Sequence, residues 1–284
     1  MLVRTRWSLW LGILVGALAL SAGAVHAQGK NPCNPCGPKN PCGGKDGGTA
    51  VNPCHAKAGT VFYIADPMGR NSATFRSEAP LEDIVGTTTK ISGYVVFDPS
   101  DADKGGRGII SLPVASIDTG IPSRDEHLQG PGWLDAKNNP KISFEIEGAK
   151  NVKVVSDGSD HQTYDMQLVG TFSVHGKSKT IEVPARITYM AESAITKSKG
   201  PGDLLAGRAS FSIKLSDYGV TGPQGMKIMG LKVSDTLSIR ITFVATTEKP
   251  EMANPCNPCG GKKNPCNPCG GKKKNPCNPC GGRK

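Results

Sequence analysis

From residue 90 to residue 243 the apolar positions recur every second residue, not every third or fourth. Ile91, Gly93, Val95 and Phe97 alternate through 90–98, and Ile142, Phe144 and Ile146 alternate with Ser143, Glu145 and Glu147. Tyr164, Met166, Leu168, Gly170, Phe172 and Val174 keep the same period, followed by Ile181, Val183, Ala185, Ile187 and Tyr189. Two further runs are Ala209–Phe211–Ile213–Leu215 and Leu237–Ile239–Ile241–Phe243. A period of two sends one set of side chains to one face of an extended chain and the polar set to the other. Shorter runs at 60–65 and 73–77 and a long one at 107–117 bring the predicted strands to eight or more. Strands of this number with turn residues between them predict an antiparallel sandwich or a closed barrel. Helices do not alternate with the strands, which excludes a parallel α/β sheet.

One stretch breaks the pattern. Residues 119–140 carry Pro, Gly and charged residues, and 123–129 reads as a short helix. Ser123 is its expected N-cap, with Glu126 three residues on to complete a capping box. A second helical turn is expected at 133–137, around Trp133. The segment reads as a lid or plug over one edge of the barrel.

Composition changes the picture only at the ends. The chain has 284 residues, ten cysteines and a formal charge of +10. Residues 59–250 hold 21 basic and 22 acidic side chains and no cysteine. The positive excess and all the thiols therefore lie outside the patterned region. That excludes a disulfide-stapled core and a domain-wide nucleic-acid footprint. About 190 residues suffice for one ordinary core.

The organisation that follows is a leader at 1–27, a Cys/Pro/Gly-rich tail at 28–58, a barrel at 59–247 and a Lys-rich repeat tail at 248–284. Arg4 and Arg6 precede an apolar run from Ser8 to Leu20, and small residues lead to Ala27, the pattern of a cleaved secretory signal. The run is short of the ~20 residues a membrane span needs. The mature protein is expected in the periplasm or secreted.

The tails repeat Asn-Pro-Cys-Asn-Pro-Cys-Gly at 31–37, 254–260, 264–270 and 275–281, with single Asn-Pro-Cys units at 40–42 and 52–54. With almost nothing apolar to bury, they are expected to be disordered when free. Cys33 with Cys36, Cys256 with Cys259, Cys266 with Cys269 and Cys277 with Cys280 form Cys-x-x-Cys pairs able to chelate Zn²⁺ or Cu⁺. Oxidation within or between chains, the latter giving a homodimer, is an open alternative, as is an adhesive tail whose lysines meet an anionic envelope surface. No Cys-x-x-Cys-His haem motif occurs.

Other motifs carry little chemistry. The acidic run Asp98, Asp101, Asp103 lacks the glutamate and helices of an EF-hand and reads as a strand connector. Arg124, Asp125 and His127 read as an ion pair and helix polarity. His161 and His175 fall at turns without partners at ligand spacing. No hydrolase elbow, zinc-protease, phosphate-loop or dinucleotide motif is present, so no enzymatic site is nameable.

Several stretches carry a family resemblance. S-I-D-T-G-I-P-S-R-D-E-H-L at 116–128 and W-L-D-A-K-N-N-P-K-I-S-F at 133–144 resemble the signature of the YceI-like family. V-G-T-T-T-K-I-S-G-Y-V-V-F-D at 85–98, L-V-G-T-F-S-V-H-G-K-S-K-T-I-E-V-P at 168–184 and S-D-Y-G-V at 216–220 are similar to it in order and spacing. The resemblance implies an extended lipocalin-like antiparallel barrel of eight strands, mostly exported, whose interior holds a polyisoprenoid or similar long amphiphile. The bound molecule would be an isoprenoid quinone or polyprenyl lipid, with no cofactor required. Phe62, Phe75, Val95, Phe97, Trp133, Phe144, Leu168, Phe172 and Phe211 are the side chains expected to touch it. The chain departs from the family at Ser77-Glu78, where a histidine often follows Phe-Arg, and in its cysteine tails. A second function is compatible with the sequence: metal handling or envelope crosslinking through the tails, with the barrel as scaffold.

Overall fold

The computed structural model describes residues 51–250 except 58, 66–68, 105 and 224–226. The predicted leader and the cysteine pairs Cys33/Cys36, Cys256/Cys259, Cys266/Cys269 and Cys277/Cys280 lie outside the described residues. Ten strands follow one another: β1 (Thr60–Ile64), β2 (Ser72–Glu78), β3 (Asp83–Thr88), β4 (Ser92–Phe97), β5 (Arg107–Pro113), β6 (Lys141–Asp157), β7 (Gln162–Val174), β8 (Lys177–Met190), β9 (Leu204–Lys214) and β10 (Thr236–Thr246). Three short helices, α1 (Pro53–Ala56), α2 (Pro122–Gln129) and α3 (Ala194–Lys197), decorate them.

The sheet is antiparallel throughout, in the order β1-β4-β5-β6-β7-β8-β9-β10-β2-β3. Tyr63 of β1 pairs with Thr246 of β10 and closes eight of the strands into a barrel. Closure removes the unpaired edges that an open sheet would present. Beyond that single pairing, β2 replaces β1 along β10, from Thr242 to Leu237. Just before β2 begins, the Asn71 side-chain oxygen accepts the Val244 N–H at 2.9 Å. Buried Asn71 thus satisfies a ladder donor that would otherwise be orphaned. At the β2–β3 end the ring is completed by one bridge, in which Thr87 and Asp118 exchange backbone hydrogen bonds of 2.8 and 2.9 Å.

The barrel is solid at one end and hollow at the other. Where β1 meets β4, the inward side chains Phe62, Ile64, Phe97, Leu205 and Ala245 are almost wholly buried. Phe62 stands edge-on to Tyr189 at 6.2 Å, and Phe97 edge-on to Tyr164 at 5.5 Å. Burial and the Asp203 carboxylate, which accepts the Tyr189 hydroxyl at 2.9 Å, push that phenol up to about 12. At the other end the inward residues of β2, β5, β6 and β10, namely Phe75, Leu112, Ile142, Leu237, Ile239 and Ile241, are only half-buried.

Three expectations shift. The strand expected over 107–117 ends at Pro113. The Val114 N–H still donates in register to the Pro140 carbonyl at 2.9 Å, but Pro140 has no N–H to return, and Val114–Ser116 is a 3₁₀ turn. The helix begins at Pro122, with Ile121 as N-cap and no side-chain cap, so the capping box at Ser123 does not form. Proline is preorganised for the first helical position and sets the start one residue earlier. The helical turn expected at 133–137 is instead a pair of tight turns, 131–134 and 136–138.

Within the 28–58 segment, α1 packs on the barrel. Asn52 caps it, its side chain accepting the Cys54 N–H at 2.9 Å. The buried imidazole of His55 packs on the outer face of β4, where its Nδ1 lies 3.1 Å from the Tyr94 hydroxyl. That hydroxyl accepts the Asn52 N–H at 3.0 Å and shares a second hydrogen bond with Nδ1. Burial holds the His55 pKa below its ordinary 6.5, with Arg107 helping and Glu145 opposing. The folded state therefore binds this proton less readily than the unfolded chain. The stabilisation is complete above pH ~6.5 and is lost as pH falls below it. Hydrogen exchange across residues 51–57 should accelerate as pH drops from 7 to 5, after correction for intrinsic rates, and His55→Gln should flatten the dependence. An unchanged profile in the wild type would refute the assignment.

Candidate ligand-binding site

The hollow end encloses a cavity of about 640 Å³. Its deep wall is apolar: Ile110 of β5, Phe144 of β6, Phe172 of β7, Ile213 of β9 and Ile239 and Ile241 of β10. Period two in each strand aims these residues inward, and their axial position leaves nothing opposite to fill the space. The size falls within the range of small-molecule sites, ~300–1,000 Å³. Phe172 makes edge-on contacts with Phe211 at 5.8 Å and Tyr218 at 5.6 Å.

β2 and β3 form the near wall. Phe75 and Gly86 are paired across the ladder, and both line the cavity. A Cβ on Gly86 would come within 2.2 Å of the Phe75 ring. The ring therefore lies flat over the glycine, and the missing side chain is what keeps it out of the lumen.

The mouth is polar. α2 contributes Arg124, Glu126 and His127, and the loops facing it contribute Glu82 and Lys232. Arg124 pairs with Glu82 at 3.1 Å. Asp125 accepts the Thr119 N–H at 2.9 Å and its hydroxyl at 2.6 Å, which fixes the helix against the preceding loop. Trp133 lies behind α2, its N–H donating to Gly130 at 3.0 Å. Its indole edge packs on Gly222, where a Cβ would meet it at 3.4 Å. The 119–140 segment thus sits over the hollow end as a lid.

The predicted contact residues divide by their height in the barrel. Phe75, Trp133, Phe144 and Phe172 line the cavity. Leu168 and Phe211 line a separate void of about 20 Å³ deeper in the barrel. Phe62, Val95 and Phe97 are packed into the solid end. Ile84, Leu112, Ile142, Leu237, Ile239 and Glu82 border the cavity without having been named as contact residues, and Arg124, read as one half of an ion pair, makes that pair with Glu82 at the cavity. The period-two runs contain most of these apolar residues, but period alone does not give their height.

The acidic loop at 98–103 is closed by lysine: Lys104 lies 3.0 Å from Asp101 and 3.6 Å from Asp98. Among the described residues no three His, Cys, Asp or Glu side chains converge on a metal-sized space. His175 sits at a turn with φ +52°, its Nδ1 3.2 Å from the Tyr218 carbonyl.

The YceI-like domain matches residues 63–245. UPF0312 proteins of Azotobacter vinelandii and Pseudomonas syringae pv. tomato are each 27% identical, over 173 and 191 residues. These matches cover 58% and 66% of this chain and 81% and 87% of the relatives. Among solved structures, Burkholderia cenocepacia BcnA is 22% identical with a TM-score of 0.48, over 64% of this chain and all of its own. A polyisoprenoid binding domain from Saccharophagus degradans is 12% identical with a TM-score of 0.46, over 66% and 98%. Since the domain match runs from β1 to β10 and takes in the lid and every strand of the cavity wall, the chain belongs to the YceI-like family.

Proposed function

We propose that this protein is an exported carrier that holds a polyisoprenoid or similar long amphiphile in the hollow end of its barrel. The observation that carries this is the 640 Å³ cavity, lined by inward apolar side chains of the barrel strands. Leaving that surface to water is unfavourable, and an apolar chain is the complement that removes it. Burying about 400 Å² of chain at ~25 cal/mol per Å² gains roughly 10 kcal/mol. Association costs of about 4 kcal/mol or more reduce that gain.

The arrangement also orients the molecule. The hydrocarbon lies against Phe144, Phe172, Ile213 and Ile241, and the polar head rests at the mouth near Arg124, Glu126 and His127. Of these, Arg124 is held by its ion pair with Glu82.

Mass spectrometry of the natively purified protein should find one long-chain lipid per chain. Adding an isoprenoid quinone to delipidated protein starting at Gln28, in which Trp133 is the one tryptophan, should change its fluorescence. Protein that carries no lipid and shows no spectral response would refute the assignment.

A further inference from the structure

Seven large apolar side chains are exposed among the described residues, and they are not scattered evenly. Leu81 (67% exposed), Leu231 (47%) and Ile121 (43%) fall in three segments that border the cavity mouth. Leu81 precedes Glu82, Leu231 precedes Lys232, and Ile121 opens the turn of α2 that presents Arg124; all three charged residues line the cavity. The segments are joined side by side. The Leu81 N–H donates to the Leu231 carbonyl at 3.0 Å, and Glu82 pairs with Arg124 at 3.1 Å. The mouth therefore has an outer apolar rim around an inner polar collar.

Two observations select the surface this rim fits. First, the rim is continuous with an apolar cavity. On the reading of the cavity given above, a long hydrocarbon passes through this mouth, and each of its CH₂ groups costs about 0.8 kcal/mol in water. A rim pressed into a bilayer interface lets the chain cross without that exposure. Second, the positive excess of the sequence lies in 28–58 and 251–284, outside the neutral barrel, and complements an anionic lipid surface. We infer that the barrel docks mouth-first on a lipid bilayer, with Leu81, Ile121 and Leu231 entering the interface, and exchanges its ligand there.

The test uses the chain from Gln28 to Lys284 and flotation with phosphatidylcholine vesicles, pure or containing one quarter phosphatidylglycerol. The triple variant Leu81→Ser/Ile121→Ser/Leu231→Ser should partition about tenfold less onto both kinds of vesicle. Val154→Ser/Val155→Ser/Ile195→Ser removes equally exposed apolar side chains away from the mouth and should bind as wild type. Should the rim triple fail to fold, Leu231→Asp alone should lower partitioning in the same direction. Equal binding by the two triples would overturn the inference. So would binding abolished for every variant by 0.5 M salt, since attachment would then be tail electrostatics alone. A wild-type dimer that the rim triple converts to monomer, without vesicle binding, would assign the rim to a second copy of the chain instead. Lipid content separates the two proposals: a rim triple that keeps its co-purified lipid but leaves the vesicle supports both. Chain that never carries lipid, yet loses vesicles with the rim triple, keeps the docking surface and removes the carrier.

Discussion

The double substitution Leu112→Trp/Ile239→Trp should abolish ligand retention while leaving the barrel as stable as the wild type. Leu112 on β5 and Ile239 on β10 both face the cavity and are both half-buried. In a close-packed core, adding atoms forces strained rotamers and costs ~1–3 kcal/mol. Here the added rings enter the cavity and lie along its apolar wall. What they remove is room for the ligand. Losing about 120 Å² of ligand contact at ~25 cal/mol per Å² amounts to roughly 3 kcal/mol, or about 100-fold in affinity. Lipid mass spectrometry after purification and a thermal melt measure the two effects separately. A double variant that still carries a full complement of lipid would show that the ligand, if any, sits elsewhere. Gly86→Val attacks the same space indirectly. Its side chain would displace the Phe75 ring from the wall into the lumen, so its effect should run in the same direction.

How far this site can be read from the sequence depends on what a period of two contains. Alternation names the face of a strand and left a sandwich or a barrel open, and the inward sets of β6 to β10 are the residues that alternate in the chain. It does not name the height of a residue along the barrel axis. Phe62 and Phe75 look alike in sequence, yet one is sealed against Tyr189 and the other borders the cavity. The difference arises from which strand pairs with β10 at each height, β1 at Thr246 and β2 from Thr242 onward. That is a non-local fact. β3 escaped notice for a related reason. Its inward positions are Ile84, Gly86 and Thr88, and at the middle one the side chain that fills the slot belongs to Phe75 on the neighbouring strand. The alternation is completed by a residue eleven positions away. The lid shows the opposite limit. Its location was legible from the break in pattern, whereas its start was misplaced by one residue, because Pro122 outweighs the cap that Ser123 and Glu126 would have made.

Phe62→Ala should be the most destabilising single truncation in the solid end, and it should spare ligand binding. Phe62 is fully buried, and it lines neither the 640 Å³ cavity nor the 20 Å³ void. Truncating such a ring removes its transfer free energy and leaves a hole, together about 3–5 kcal/mol. For a domain whose whole stability is ~5–15 kcal/mol, that is a large fraction. The melting temperature should fall by about 10 °C, given ~2–4 °C per kcal/mol at this size. The position aggravates the loss. Phe62 sits on β1 beside Tyr63, whose single pairing with Thr246 closes the barrel, so loosening β1 loosens the closure. Phe75→Ala removes the same ring from a half-buried site at the cavity wall and should cost well under half as much, because part of that ring already faces the lumen. The ligand readout should reverse the order: below the melting transition, Phe62→Ala should keep its lipid, and Phe75→Ala should hold it less tightly. Equal stability losses in the two variants would mean that the barrel is not divided into a solid and a hollow end. Lipid loss in Phe62→Ala at temperatures where it remains folded would mean that the two ends are coupled through β10, whose Phe243 and Ala245 pack the solid end while Ile239 and Ile241 line the hollow one.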